Sequence, residues 1–276
     1  MPDYEAVRRF AAEIRRDSIV MLCHADSGHP GGTLSCVELI AWLFMHEMNF
    51  SPENAKSPDR DRFVLSKGHG APALYAALAG KGFFPKEEIK KLRHINSMLQ
   101  AYPNILTTPG VEFNSGSLGQ GLSFASGCAL AAKRRGSDAR SYVILGDGEM
   151  EEGQVWESLM FAAHYRLDNI VAIVDYNKRQ SDDYVTAITA LEPLSDKLRA
   201  FGWHVQEIDG HDFAGIGGAL GRARAFKGAP SVIIAHTIKG KGISFMENVP
   251  KWHGSMAPQG EERVIALAEC GCTEEL

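Results

Sequence analysis

Three stretches constrain this chain more than any others: "SYVILGD" (141–147), "NIVAIVDYN" (169–177) and "SVIIAHT" (231–237). Each is almost wholly apolar, and helical patterns separate them. A strand that is apolar on both sides of its pleat is buried on both faces, as parallel strands are when helices cover the sheet above and below. "RFVLS" (62–66) and "WHVQEID" (203–209) extend the set. Helical patterns fill the intervals: "APALYAALAG", "GQGLSFASGCALAAKRR", "GQVWESLMFAAHYR" and "FAGIGGALGRARAF". Residues 3–24 read as an amphipathic helix with Val7, Phe10, Ile14 and Leu22 on one side. "DSGHPGG" breaks it, and "TLSCVELIAWLFMHEM" reads as the next helix, capped by Thr33 or a neighbour. Residues 94–118 form an irregular loop rich in Pro, Gly, Asn, Ser and Thr, a length that usually serves function. No repeat or low-complexity linker divides the chain. The expectation is an α/β, doubly wound parallel sheet over residues 1–276, with an irregular tail after about residue 240 that holds a short helix.

Composition narrows the function classes. At 276 residues and 45% hydrophobic, the chain can bury a full core. A net charge of -5 without a Lys/Arg run argues against nucleic acid as main partner. Cys23, Cys36, Cys128, Cys270 and Cys272 show neither a pairing framework nor a zinc spacing, which fits free thiols in a reducing compartment. The N-terminus is charged and helical, and no apolar run approaches a bilayer span. A soluble cytoplasmic protein without membrane attachment is expected.

The chemistry concentrates in "GDGEMEEGQVWE", where Asp147, Glu149, Glu151, Glu152 and Glu157 crowd the turn from a buried strand into a helix. Such like charges repel unless something offsets them. Asp147 ends one strand and Asn177 ends the next, thirty residues on, the span of one βαβ unit. Ligands of open parallel sheets bind beyond the C-terminal strand ends. A carboxylate and an amide oxygen there suit Mg²⁺ or Ca²⁺, completed by phosphate and water. Gly146 and Gly148 allow backbone to approach a phosphate, and the helix start favours an anion. A capping Asp and a turn Asn of any α/β protein would share this spacing, so spacing alone leaves both readings open.

Five blocks in order carry a resemblance: "SGHPGG", "DRFVLSKGHG", "SGSLGQGLSFASG", "GDGEMEEGQVWE" and "DYN". Together with "IKGKGISFMENVPKWHG" they resemble the transketolase family from about residue 10 to 255, more specifically the N-terminal chain of two-chain transketolases. The resemblance implies a thiamine diphosphate-binding domain. It implies Asp147 and Asn177 as side-chain ligands of Mg²⁺ (or Ca²⁺), and Arg179 as a ligand through its main-chain carbonyl. His69, Gly146, Gly148, Glu149 and Asn177 would surround the cofactor, with Gly116, Ser117 and Leu118 near its pyrimidine ring. His29 would act at the reacting carbon. Glu152 and Glu157 match acids lying between paired active sites. His211 in "IDGHD" reads instead as a residue of a helix start capped by Asp212.

In this family the glutamate that activates the cofactor, and most sugar-phosphate contacts, come from a second, pyrimidine-binding domain. The resemblance therefore implies a partner chain, the C-terminal transketolase subunit, with two copies of each chain in the assembly. Three departures from the family pattern bear on substrate. Tyr102 in "LQAYPN" replaces a histidine that helps bind donor hydroxyls, Pro250 stands where single-chain members carry a further histidine, and Ser181 replaces an apolar residue. His253 is the candidate substitute for the missing histidine. The leading expectation is transfer of a two-carbon ketol unit from a ketose phosphate to an aldose. The alternative is a specialised two-component enzyme with an unusual ketose donor or a carrier-thiol acceptor. "SGHPGG" and "SKGHG" argue against a 2-oxo acid decarboxylase chain, and the presence of both Asp147 and Asn177 argues against a non-catalytic subunit.

Overall fold

The alternation of apolar runs and helices resolves, in a computed structural model describing residues 2–181, 183–254 and 256–272, into one five-stranded sheet. The strands are β1 (Arg62–Leu65), β2 (Ser141–Gly146), β3 (Ile170–Tyr176), β4 (His204–Asp209) and β5 (Ser231–His236). They are all parallel, in the order β1-β2-β3-β5-β4. Side chains alternate across the pleat, so each strand feeds two cores. Tyr142, Ile144, Val171, Ile173, Ile233 and Ala235 join the core on one face. Val143, Leu145, Ala172, Val174, Val232 and Ile234 join the core on the other. The first is covered by α1 (Tyr4–Ala25), α3 (Val37–Trp42), α4 (Ala71–Gly80) and α9 (Phe213–Ala225). The second is covered by α5 (Gln120–Arg135), α6 (Gly153–His164), the short α7 (Val185–Ile188) and α8 (Leu194–Ala200). A last helix, Gly260–Glu269, lies in the tail. Residues 94–118 carry no strand or α-helix.

The expected helix from Thr33 is different in the structure. A short α2 (Pro30–Leu34) begins inside the supposed breaker, with His29 at its N-cap position and Pro30 in its first turn. Proline is pre-set for that position. Thr33 does not cap; its hydroxyl donates to the His29 carbonyl at 2.8 Å. The chain then breaks at Ser35 and Cys36, resumes as α3, and ends in a π-helical turn at Leu43–Glu47. Glycines rather than helix formers fill α2 because no side chain fits there. A Cβ on Gly31 would lie 2.8 Å from the Trp252 carbonyl oxygen, and one on Gly32 would lie 2.9 Å from the His69 ring.

Among the described residues no helix is long and apolar enough to cross a membrane.

Candidate active site

The pairing Gly146↔Asp175 places Asp147 and Asn177 just past the same end of neighbouring strands. They line one cavity of about 570 Å³ with His29, His69, Tyr102 and Lys239. Asp147 is 2% exposed. Burial, with the Asp175 carboxylate nearby, pushes its carboxyl up to about 7. Its oxygens accept the backbone N–H groups of Gly148 and of Lys178. Lys178 itself takes a left-handed conformation, φ 66°. Asn177 Oδ1 accepts from Arg179 N at 3.1 Å. The strand ends thus bring one carboxylate and one amide to the same cavity, oxygen donors of the hard type that suits a divalent cation with phosphate and water. Among the described residues no group of three or more His, Cys, Asp or Glu gathers as a metal cluster.

Lys239 escaped the sequence reading. It is 2% exposed, and its ammonium donates to the carbonyls of Arg179 (3.4 Å) and Gln180 (2.9 Å) and to His253 Nδ1 (2.6 Å). Burial lowers it to about 8, while the carboxylates of Asp147 and Asp175 oppose that fall. It stays cationic at neutral pH and faces an anion-sized space. The signal was a lysine in a glycine-rich turn just after an apolar strand. His211 helps position it. Its Nδ1 meets Glu38 at 2.9 Å and its Nε2 accepts Ile238 N at 2.9 Å, so it tethers the loop that carries Lys239. Asp212 caps α9 as expected, accepting from Ala214 and Gly215.

Three histidines form a cluster over this floor: His29 to His69 is 5.4 Å between ring centres, His29 to His253 is 5.9 Å, and His69 to His253 is 5.8 Å. Burial lowers His29 and His253 to about 4, and His69 well below its ordinary value. All three are neutral at pH 7 and can give or accept a hydrogen bond. His29 Nδ1 is buried with no hydrogen-bond partner, which leaves a polar atom for a ligand. Tyr102 sits 6.4 Å from the His29 ring and is 41% exposed.

Gly116 and Leu118 line the cavity, but Ser117 between them is exposed and does not. Gly148 is close against Gln180, 3.1 Å from an added Cβ, whereas Gly146 has ordinary room. Glu149 is a brace rather than a free acid. Its carboxylate takes the N–H groups of Gly119 (2.8 Å) and Gly146 (3.0 Å) and the Ser66 hydroxyl, joining three turns of the cavity wall. Glu152 and Glu157 are exposed.

Residues 7–271 match the family model described as "Transketolase, thiamine diphosphate binding domain". The chain belongs to the transketolase family. It is 51% identical over 234 residues to a 6-deoxy-6-sulfo-D-fructose transketolase subunit, SqwG, of a Clostridium species, covering 85% of each chain. It is 40% identical to an apulose-4-phosphate transketolase subunit of Actinobacillus succinogenes, covering 96% of each. The solved transketolase from Leishmania mexicana superposes with a TM-score of 0.87 at 34% identity; 96% of this chain aligns with 41% of that one. The family's thiamine diphosphate-binding fold accounts for the parallel sheet and for the cavity at its C-terminal edge.

Proposed function

We propose that this chain is the cofactor-holding subunit of a two-chain transketolase. The observation that carries the reading is the convergence of Asp147, Asn177, the Arg179 carbonyl and Lys239 beyond the ends of β2, β3 and β5. Asp147, Asn177 and the Arg179 carbonyl would hold Mg²⁺ (or Ca²⁺). The Gly148 backbone, His69 and Lys239 would face the diphosphate, with Gly116 and Leu118 at the pyrimidine end. Thiamine diphosphate, when bound, supplies a nucleophilic carbon and an electron sink for breaking and making C–C bonds beside a carbonyl. The protein's own part is positional and protonic. His29, neutral and lacking a partner at Nδ1, would hold or pass a proton at the donor sugar's oxygens.

The partner subunit would add the activating glutamate and most sugar-phosphate contacts. Two features support it. The Clostridium and Actinobacillus relatives are both named as subunits, and this chain exposes Ile95 (94%), Leu106 (87%) and Met160 (55%) in the segments around the cavity and on α6. Glu152 and Glu157 would then face a second active site in an assembly with two copies of each chain. Five free cysteines suit a cytoplasmic setting. The reaction is transfer of a two-carbon ketol unit from a ketose to an aldose. A second reading, an unusual ketose donor, is favoured by Tyr102 and Ser181 in the cavity wall together with the SqwG relative.

Calorimetric titration of the assembled chains with thiamine diphosphate, with and without Mg²⁺, tests the site. Asp147→Ala is expected to weaken binding at least tenfold, because even groups that merely orient metal ligands cost about 10–100-fold. Unchanged affinity in that variant would remove the assignment.

A further inference from the structure

His253 is held from both sides. Lys239, as an ammonium, has three protons and three acceptors: the Arg179 carbonyl, the Gln180 carbonyl and His253 Nδ1. A ring nitrogen that accepts carries no proton, so the neutral imidazole bears its hydrogen on Nε2. Nε2 lies 3.1 Å from Ser181 Oγ. The bond therefore runs from the His253 N–H to the Ser181 oxygen, and the Ser181 hydroxyl hydrogen is left to point elsewhere. Ser181 lines the cavity and is exposed at its rim. The proposed metal ligands lie deeper, Asp147 at 2% and Asn177 at 8% exposure. A donor at the rim meets what enters last. The His253 ring beside it packs with two others, its centre 5.9 Å from that of His29 and 5.8 Å from that of His69.

We infer that Ser181 is a specificity-determining residue, whose hydroxyl, oriented by the Lys239–His253 relay, donates a hydrogen bond to an oxygen of the bound ketose donor. This rests on the two-chain transketolase reading. A residue of any apolar type at this position would break the relay at its last step.

Two measurements test it. The first needs no turnover: long-range ¹⁵N–¹H correlation spectra of the full chain report the His253 tautomer. The Nε2–H form in the parent, giving way to a mixture in Lys239→Met, is expected; the Nδ1–H form in the parent overturns the relay. The second uses the assembled two-chain enzyme. Ser181→Ala should raise the donor KM about three- to tenfold, the scale of one lost hydrogen bond. The turnover number should stay within about twofold and the thiamine diphosphate Kd unchanged, with Ser181→Thr restoring most of the loss. An unchanged KM, or a cofactor Kd that shifts as much as KM, overturns the assignment to the sugar. A parent assembly that binds cofactor yet transfers nothing counts against the transketolase reading, and the tautomer still decides the relay.

Discussion

Replacing Lys67 by Met probes a fully buried ion pair at the end of β1 and β3. Lys67 is 1% exposed and its ammonium pairs with Asp175, which is 0% exposed. Burial works against the ammonium, yet the Asp175 carboxylate, with Cys36 and Asp147 also nearby, outweighs it and raises the pKa of Lys67. Lys67 also donates to the Gly32 carbonyl in α2, the helix whose N-cap position is His29. Lys67→Met leaves Asp175 buried with, among the described residues, the hydroxyls of Ser35 (2.6 Å) and Thr237 as its donors. Removing one partner of such a pair costs about 3–5 kcal/mol. At about 2–4 °C per kcal/mol for a domain of this size, Tm should fall on the order of 10 °C. Lys67→Met/Asp175→Asn removes the stranded charge and should recover more than half of that loss. Its turnover number should stay low, because α2 has lost its anchor to the sheet. Calorimetry of each variant at one fixed cofactor concentration makes the comparison. A Tm loss under about 2 °C, or a double variant no better than the single one, would refute this reasoning.

Three further outcomes are expected. Tyr102→His should raise activity on ordinary ketose phosphates if the tyrosine sets donor choice, and no gain counts against that role. Gly254→Ala drives a methyl to 2.4 Å from the His29 ring, so kcat should fall about tenfold or more with Tm shifted by less than a few degrees; parent-like kcat would show the ring position to be unimportant. His29 and His253 both have pKa values of about 4, below the ordinary histidine value. At these two rings the folded state therefore binds fewer protons than the unfolded one between about pH 6.5 and 4, and their contribution to stability is lost as pH drops through that window, while Asp147, raised to about 7, acts in the opposite sense. His29→Asn should lose less Tm than the parent between pH 7 and 5, and equal slopes would contradict the burial of a neutral ring.

The sheet was legible because strands buried on both faces demand near-continuous apolar runs, and runs as short as "SYVILGD" and "NIVAIVDY", separated by a helix-length segment, alternate as βαβ units do. Asp147 and Asn177 were legible because strand order and a thirty-residue spacing bring both ends to one edge. The α2 turn was not, because its glycines answer to Trp252, Lys239 and His69, all distant in sequence. Lys239 was missed for the same reason, since only the fold reveals that it is buried beside Asp147. Glu149 is legible as a residue near the cofactor, but its bracing role is not, because its three hydrogen bonds reach turns distant in sequence.

The most direct test of the central claim is reconstitution. This chain and its partner are mixed with thiamine diphosphate, Mg²⁺, a ketose donor and an aldose acceptor, with xylulose 5-phosphate and 6-deoxy-6-sulfo-D-fructose compared as donors, the latter being the sugar in the name of the SqwG relative. Two-carbon transfer from at least one donor, only when both chains and the cofactor are present, is the predicted result. A stable complex that binds the cofactor and transfers nothing from any ketose would contradict it.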